Sequence, residues 1–205
     1  MRIGIDFDNT IVSYDRLFHA LAVEQELIPP DVPASKEQVR NYLRRAGRED
    51  DWTELQGYVY GARMAEAAAF AGVYDFFHRC RELGIETAII SHKTQFPFRG
   101  PAWDLHRAAR DWLEQQGFHD PQGIALPRQR AYFETTLEAK LRRIEAAGCT
   151  HFVDDLPELL AEPSFPAGVV RILFDPHDHH ACEQRFQRAR SWEQLATELL
   201  CGAPL

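Results

Sequence analysis

Short apolar runs alternate with amphipathic stretches along most of the chain. The first run, at 2–7, reads Arg-Ile-Gly-Ile-Asp-Phe and ends on a carboxylate. Others lie at 86–90, around Ala131-Tyr-Phe, at 150–154 and at 169–174. Each is short and rich in β-branched or aromatic residues, the mark of a strand buried on both faces. Between them the 3.6-residue period predicts helices at about 73–83, 102–116, 135–147 and 191–200. The first three of these are followed by Gly84, Gly117 and Gly148, a common helix stop. Strand alternating with helix means a parallel sheet with helices on both faces. Residues 14–70 carry no strand signal and read as helices at 14–27, 35–46, 51–60 and onward to about 70. Pro29, Pro30 and Pro33 separate the first two. The expected fold is therefore α/β, a three-layer Rossmann-like parallel sheet core with a small helical cap inserted after the first strand. Its core spans 1–13 and 72–205, and the insert spans 14–71 as a lid over the strand ends.

Ligands of such sheets bind beyond the carboxyl ends of the strands. Asp6, Ser91 and Asp154 each close a predicted strand and so share that rim. Asp6 and Asp8 lie two residues apart, and Asp154-Asp155 forms a second acidic pair. A lone Asp in such a place is usually a solvated loop residue or a helix cap. Four carboxylates at adjacent strand ends repel one another unless a cation sits between them. Mg²⁺ suits that role, because it prefers oxygen ligands and accompanies phosphate. Ser91 offers a hydroxyl to a phosphoryl oxygen. Lys140, in the helix before Asp154, offers an ammonium against developing negative charge.

The ordered set Ile5-Asp6-Phe7-Asp8-Asn9-Thr10, Ile90-Ser91, Lys140 and Val153-Asp154-Asp155 resembles the four motifs of the haloacid dehalogenase-like superfamily. The resemblance spans about 2–175, with the insert in the position of that family's C1 cap. It implies that Asp6 is the nucleophile forming an aspartyl-phosphate. Asp8 would protonate the leaving oxygen and then activate water, with Thr10 orienting it. Ser91 and Lys140 would hold phosphoryl oxygens. Mg²⁺ would be held by Asp6, the Asp8 carbonyl and Asp155, with Asp154 behind them. An Asp at position 8 fits a phosphatase better than a dehalogenase or an ion pump of that superfamily. The resemblance thus implies hydrolysis of a small-molecule phosphate ester. A 5′-nucleotidase, a phosphotransferase and a non-catalytic phosphate-binding protein are the alternatives.

Composition narrows the partners. The chain has 205 residues and a formal net charge of −8, which argues against a nucleic-acid backbone as ligand. No apolar run is long enough to span a membrane, and no leader pattern opens the chain. Cys80, Cys149, Cys182 and Cys201 form no C-x-x-C pair and read as reduced thiols, so a cytoplasmic setting is expected. Of 23 basic residues only Lys36, Lys93 and Lys140 are lysines; a compact ammonium at a place that needs one and chance usage are the two readings. His92, Lys93 and Arg99 follow Ser91 on the rim and are candidate substrate contacts. Tyr14, Tyr58 and Arg63 of the insert are candidates too, although aromatics on helices more often pack. His177, His179 and His180 with Asp175 and Asp178 suggest zinc, but without standard ligand spacing.

Overall fold

A computed structural model describes residues 1–200; Cys201 and the rest of 201–205 lie outside it. The chain forms two compact units.

The first unit comprises Met1–Ile11, Ala69–His92 and the chain from Gly117 onward. Its strands are β1 (Arg2–Ile5), β4 (Glu86–His92), β5 (Ala131–Glu134), β6 (His151–Asp154), β7 (Val170–Phe174) and β8 (Gln187–Ala189). They make one six-stranded sheet in the order β5-β4-β1-β6-β7-β8. Every pairing in it is parallel. Two further short strands, β2 (Val12–Ser13) and β3 (Ala68–Ala69), pair as a separate ribbon where the chain leaves and rejoins the sheet.

The pleat separates two apolar faces. Ala88, Ile90, Phe152 and Leu173 point to one face. There they pack with Leu141 and Ile144 of α6 (Leu137–Ala146) and Leu160 of α7 (Pro157–Leu160). The other face meets α4 (Val73–Glu82) and α8 (Trp192–Leu200). Trp192 sits between the rings of Phe76 and Phe174, with centroids at 4.9 and 5.6 Å. This is the three-layer α/β fold. Gly4 lies opposite Phe152 in the parallel register. A Cβ there would fall 2.6 Å from the Phe152 ring and 2.7 Å from Cys149 Sγ. Only a glycine in the central strand leaves room for that ring.

The second unit comprises Val12–Ala68 and Lys93–Gln116. It holds α1 (Asp15–Glu24), α2 (Lys36–Arg45), α3 (Glu49–Tyr60), a 3₁₀ turn at Met64–Glu66 and α5 (Leu105–Gln115). Residues 93–116, which the sequence reading assigns to the core, thus group with the insert. The apolar face of α5 is buried, and Trp112 Nε1 donates to the Ala67 carbonyl at 2.8 Å. The loop before α5 lies tightly against α3. A Cβ on Gly57 would meet Pro97 at 2.8 Å, and one on Gly61 would meet Trp103 at 2.6 Å. Arg99 secures the same loop through Glu54 and Asp50 of α3.

Several expectations need correction. Residues 14–70 do contain a strand, β3, too short to show a period. β4 runs to His92, two residues past the predicted end, because β5 pairs with it through Ser91↔Phe133 and His92↔Glu134. β8 was not predicted: it is a three-residue edge strand in which only Ala189 is buried, so it carries no apolar run. Helix α5 starts at Leu105, where the Asp104 carboxylate accepts from the Arg107 amide, not at 102. Among the described residues no helix is long and apolar enough to cross a membrane.

Candidate active site

Asp6 follows β1 directly. Its amide donates to the Val153 carbonyl at 2.9 Å, which extends the parallel ladder and fixes Asp6 beside β6. The chain then turns through Asn9, whose φ of 57° lies in the left-handed region that asparagine tolerates better than most residues. Thr10 is buried, and its carbonyl accepts from Trp192 Nε1 at 3.1 Å.

Lys140 is the fourth residue of α6, capped by Thr136, whose hydroxyl accepts from the Ala139 amide. Its side chain is fully buried. Nζ donates to Asp6 Oδ1 and to Asp154 Oδ2, each at 2.6 Å. It also lies 5.4 Å from the centroid of the Phe152 ring. Asp154 ends β6 with no solvent exposure, and its other oxygen accepts from the Leu156 amide at 2.9 Å. Both Asp154 oxygens are therefore engaged within the fold, whereas the half-buried Asp155 faces a cavity of about 250 Å³. Asp6, Asp8, His92 and Lys140 line that cavity too.

One ammonium serves two buried carboxylates, with Asp8 nearby. Burial pushes the Asp6 carboxyl up to about 7; Lys140 pulls it down, and the charges on Asp154 and Asp8 add to the rise. For Lys140, burial favours the neutral amine. Asp154 and Asp6 outweigh it, so its pKa is raised and the group stays an ammonium. The hydroxyls of Ser91 and Thr10 are buried without a hydrogen-bond partner among the described residues. Such orphans are rare in proteins and mark groups that can serve a ligand.

A cation fits this acidic balance. Among the described residues no three acidic, histidine or cysteine side chains form a ready-made metal cage. Mg²⁺ does not need one, because it typically takes one or two carboxylates and completes its shell with water and substrate phosphate. Asp6, Asp8 and Asp155 on one cavity suit that mode; Asp154 is committed to Lys140 and to the turn.

Tyr14, Tyr58, Arg63, Lys93 and Arg99 belong to the second unit. Tyr14 is buried, with its hydroxyl on Met64 Sδ at 3.4 Å. Arg63 is held by Glu66, Glu24 and Tyr58, and the Tyr58 ring packs on Trp103 at 5.8 Å. In the histidine tract, the Asp175 carboxylate accepts from the amides of His179 and His180, both at 2.9 Å, and pairs with Arg188. It thus acts as a loop anchor. The sequence reading missed Asn9, Glu158 and Glu162, which also line the cavity. Pro157 at the start of α7 was the available signal for the glutamates, because it opens a helix right after the acidic pair.

No protein-family model matches the sequence, and no curated protein matches it. Solved structures do. A haloacid dehalogenase-family hydrolase from Deinococcus radiodurans R1, solved with bound phosphate and sodium, aligns over 97% of this chain and 94% of its own. Its TM-score is 0.60 at 15% identity. A phosphoserine phosphohydrolase-like protein from Francisella tularensis aligns over 97% and 99%, with TM-score 0.56 and 12% identity. A protein described as a dehalogenase aligns over 100% and 97%, with TM-score 0.53 and 10% identity. At such identities the likeness establishes the fold: the chain has the haloacid dehalogenase-like architecture.

Proposed function

We propose that the protein is a Mg²⁺-dependent phosphomonoester hydrolase that acts on a small phosphorylated metabolite through an aspartyl-phosphate on Asp6. One observation carries the reading: Lys140 bridges Asp6 and Asp154 at 2.6 Å on the wall of a cavity that Asp8 and Asp155 share. The phosphohydrolase-like and phosphate-bound neighbours are in keeping with it.

In the first step an Asp6 carboxylate oxygen attacks phosphorus, and the bond from phosphorus to the ester oxygen breaks. Asp8 gives its proton to that oxygen as the alcohol departs. In the second step Asp8 takes a proton from water, which attacks phosphorus and releases Asp6 and phosphate. Lys140 keeps one Asp6 oxygen fixed and balances charge as phosphate arrives. The Ser91 hydroxyl, with no partner among the described residues, donates to a phosphoryl oxygen. Asp154 holds Lys140 in place and shapes the turn that presents Asp155. A Mg²⁺ ion on Asp6, the Asp8 carbonyl and Asp155 would supply the positive charge that lets an anionic nucleophile meet an anionic substrate.

The test is phosphate release from p-nitrophenyl phosphate and a panel of metabolite phosphates, with Mg²⁺ or EDTA. Wild type should turn over only with Mg²⁺, and Asp6→Asn should be inactive yet folded. Turnover by Asp6→Asn at the wild-type rate would overturn the mechanism.

A further inference from the structure

One side chain on the cavity has no task in the proposed mechanism. His92 lines it with Asp6, Asp8, Lys140 and Asp155, yet no step uses its imidazole. The pleat explains how it gets there. Ala88 and Ile90 point to the sheet face covered by α6 and α7, and His92 is the next residue of that row. Where the row leaves the core, it changes from apolar residues to an exposed imidazole. The pairing His92↔Glu134 fixes the backbone at this point. The Glu134 carboxylate is already engaged, accepting from Arg143 Nε at 2.7 Å. Among the described residues no hydrogen bond or ion pair holds the His92 ring.

We infer that His92 is a specificity-determining residue: its imidazole hydrogen-bonds the departing alcohol, at a hydroxyl on the carbon next to the ester carbon. This rests on the phosphatase reading, and two arguments support it. The first is height along the sheet. Gly4 pairs with Ala88, so Asp6 stands level with Ile90 and His92 lies two residues further out. At about 3.3 Å per residue in a parallel strand, His92 is about 6.6 Å beyond Asp6. Reacting atoms meet at about 3–3.5 Å, with the attacking and leaving oxygens roughly in line. Phosphorus therefore sits just beyond the Asp6 oxygen, and the first carbons of the alcohol reach the height of His92. The second argument is the supply of donors. Asp8, Asp155, Glu158 and Glu162 give the cavity carboxylates, which only accept when ionised. Lys140 is committed to Asp6 and Asp154. An imidazole both donates and accepts, so one ring serves a hydroxyl in either sense. A carboxylate on the alcohol would instead meet like charge on the same walls.

The test compares glycerol 3-phosphate with n-propyl phosphate, which has the same carbon chain without hydroxyls. Wild type should prefer glycerol 3-phosphate about tenfold in kcat/KM, about what one hydrogen bond supplies. His92→Ala should lose that preference, with n-propyl phosphate turnover and inhibition by inorganic phosphate unchanged within about twofold. His92→Gln, which keeps a donor and an acceptor, should retain part of the preference. Equal losses on both esters with weaker phosphate inhibition would put the imidazole on the phosphoryl group and overturn the assignment. Unchanged kinetics in His92→Ala would also overturn it. A second arm needs no turnover: calorimetric titration of the two esters into Asp6→Asn with Mg²⁺. Tighter binding of glycerol 3-phosphate, lost in Asp6→Asn/His92→Ala, supports the contact; equal binding of the two esters, or binding of neither, overturns it. Absence of any turnover by wild type refutes the phosphatase reading, and the titration still decides what His92 touches.

Discussion

Lys140→Met offers a direct test of how the buried charges are balanced. The substitution keeps an unbranched side chain of similar length and removes the ammonium. Asp6 and Asp154 then share a buried site, with their two 2.6 Å bonds to Nζ lost. Removing one partner from a buried ion pair costs about 3–5 kcal/mol, because it leaves an uncompensated charge. In a chain of this size each kcal/mol shifts Tm by about 2–4 °C, so the expected fall is roughly 6–20 °C. The loss should also depend on pH. Burial already pushes Asp6 up to about 7, and Lys140 is a main force holding it down. In the variant, Asp6 therefore rises further. A carboxyl raised in the folded state contributes stability that is full below its unfolded pKa of about 3.9 and is lost as pH rises through the folded pKa. Wild type should level off above pH 7, while the variant keeps losing up to about 1.4 kcal/mol per pH unit. The assay is thermal or urea denaturation in EDTA at pH 6.5 and 8.5. The gap between the proteins should widen at the higher pH, and adding Asp154→Asn to Lys140→Met should recover part of it. A Tm within 1 °C of wild type at both pH values would refute the charge balance described.

Other perturbations probe other links. Gly4→Ala places a methyl group 2.6 Å from the Phe152 ring and 2.7 Å from Cys149 Sγ. It should cost about 1–3 kcal/mol by overpacking, read by urea denaturation, and should lower activity because Phe152 flanks Lys140. Burial raises the Cys80 thiol to about 12 and that of Cys149 to about 11, whereas Cys182 is exposed. Alkylation at pH 8 followed by peptide mass spectrometry should label Cys182 in the native protein, and Cys80 and Cys149 only after unfolding. Burial works against ionisation of Asp175, but the His180 amide, Arg188 and the His179 amide outweigh it and hold its pKa below the usual value. Its contribution is therefore present above about pH 4 and lost as pH falls through the folded pKa. Asp175→Asn should cost about 1–3 kcal/mol at pH 7, and the gap should close in acid, as followed by denaturation across pH. Gly61→Ala, whose methyl group would meet Trp103 at 2.6 Å, should loosen the loop before α5 and speed proteolysis within 95–104.

The sheet was legible because parallel strands covered on both faces are written as continuous apolar runs, and the glycines after α4, α5 and α6 punctuate them. β3 and β8 were not legible: two residues carry no period, and Gln187-Arg188-Ala189, at the sheet edge, buries only its alanine. The amphipathic face of α5 showed that it buries something. Nothing local said that Trp112 would reach Ala67, so its partition with the insert could not be read.

The sequence by itself determined which chemistry is at hand. Carboxylates, a hydroxyl and an ammonium stand at or near strand ends in a recognisable order, because strand ends in an open parallel sheet are where backbone gives way to ligand. Only the tertiary structure decided what each carboxylate does. Asp154 and Asp155 are neighbours of one residue type, yet the pleat at the end of β6 buries the first against Lys140 and turns the second toward the cavity. Only folding, likewise, brought Glu162 to the same cavity as Asp6 and His92. Spacing along a chain carries local geometry, whereas such meetings depend on packing between elements far apart in sequence.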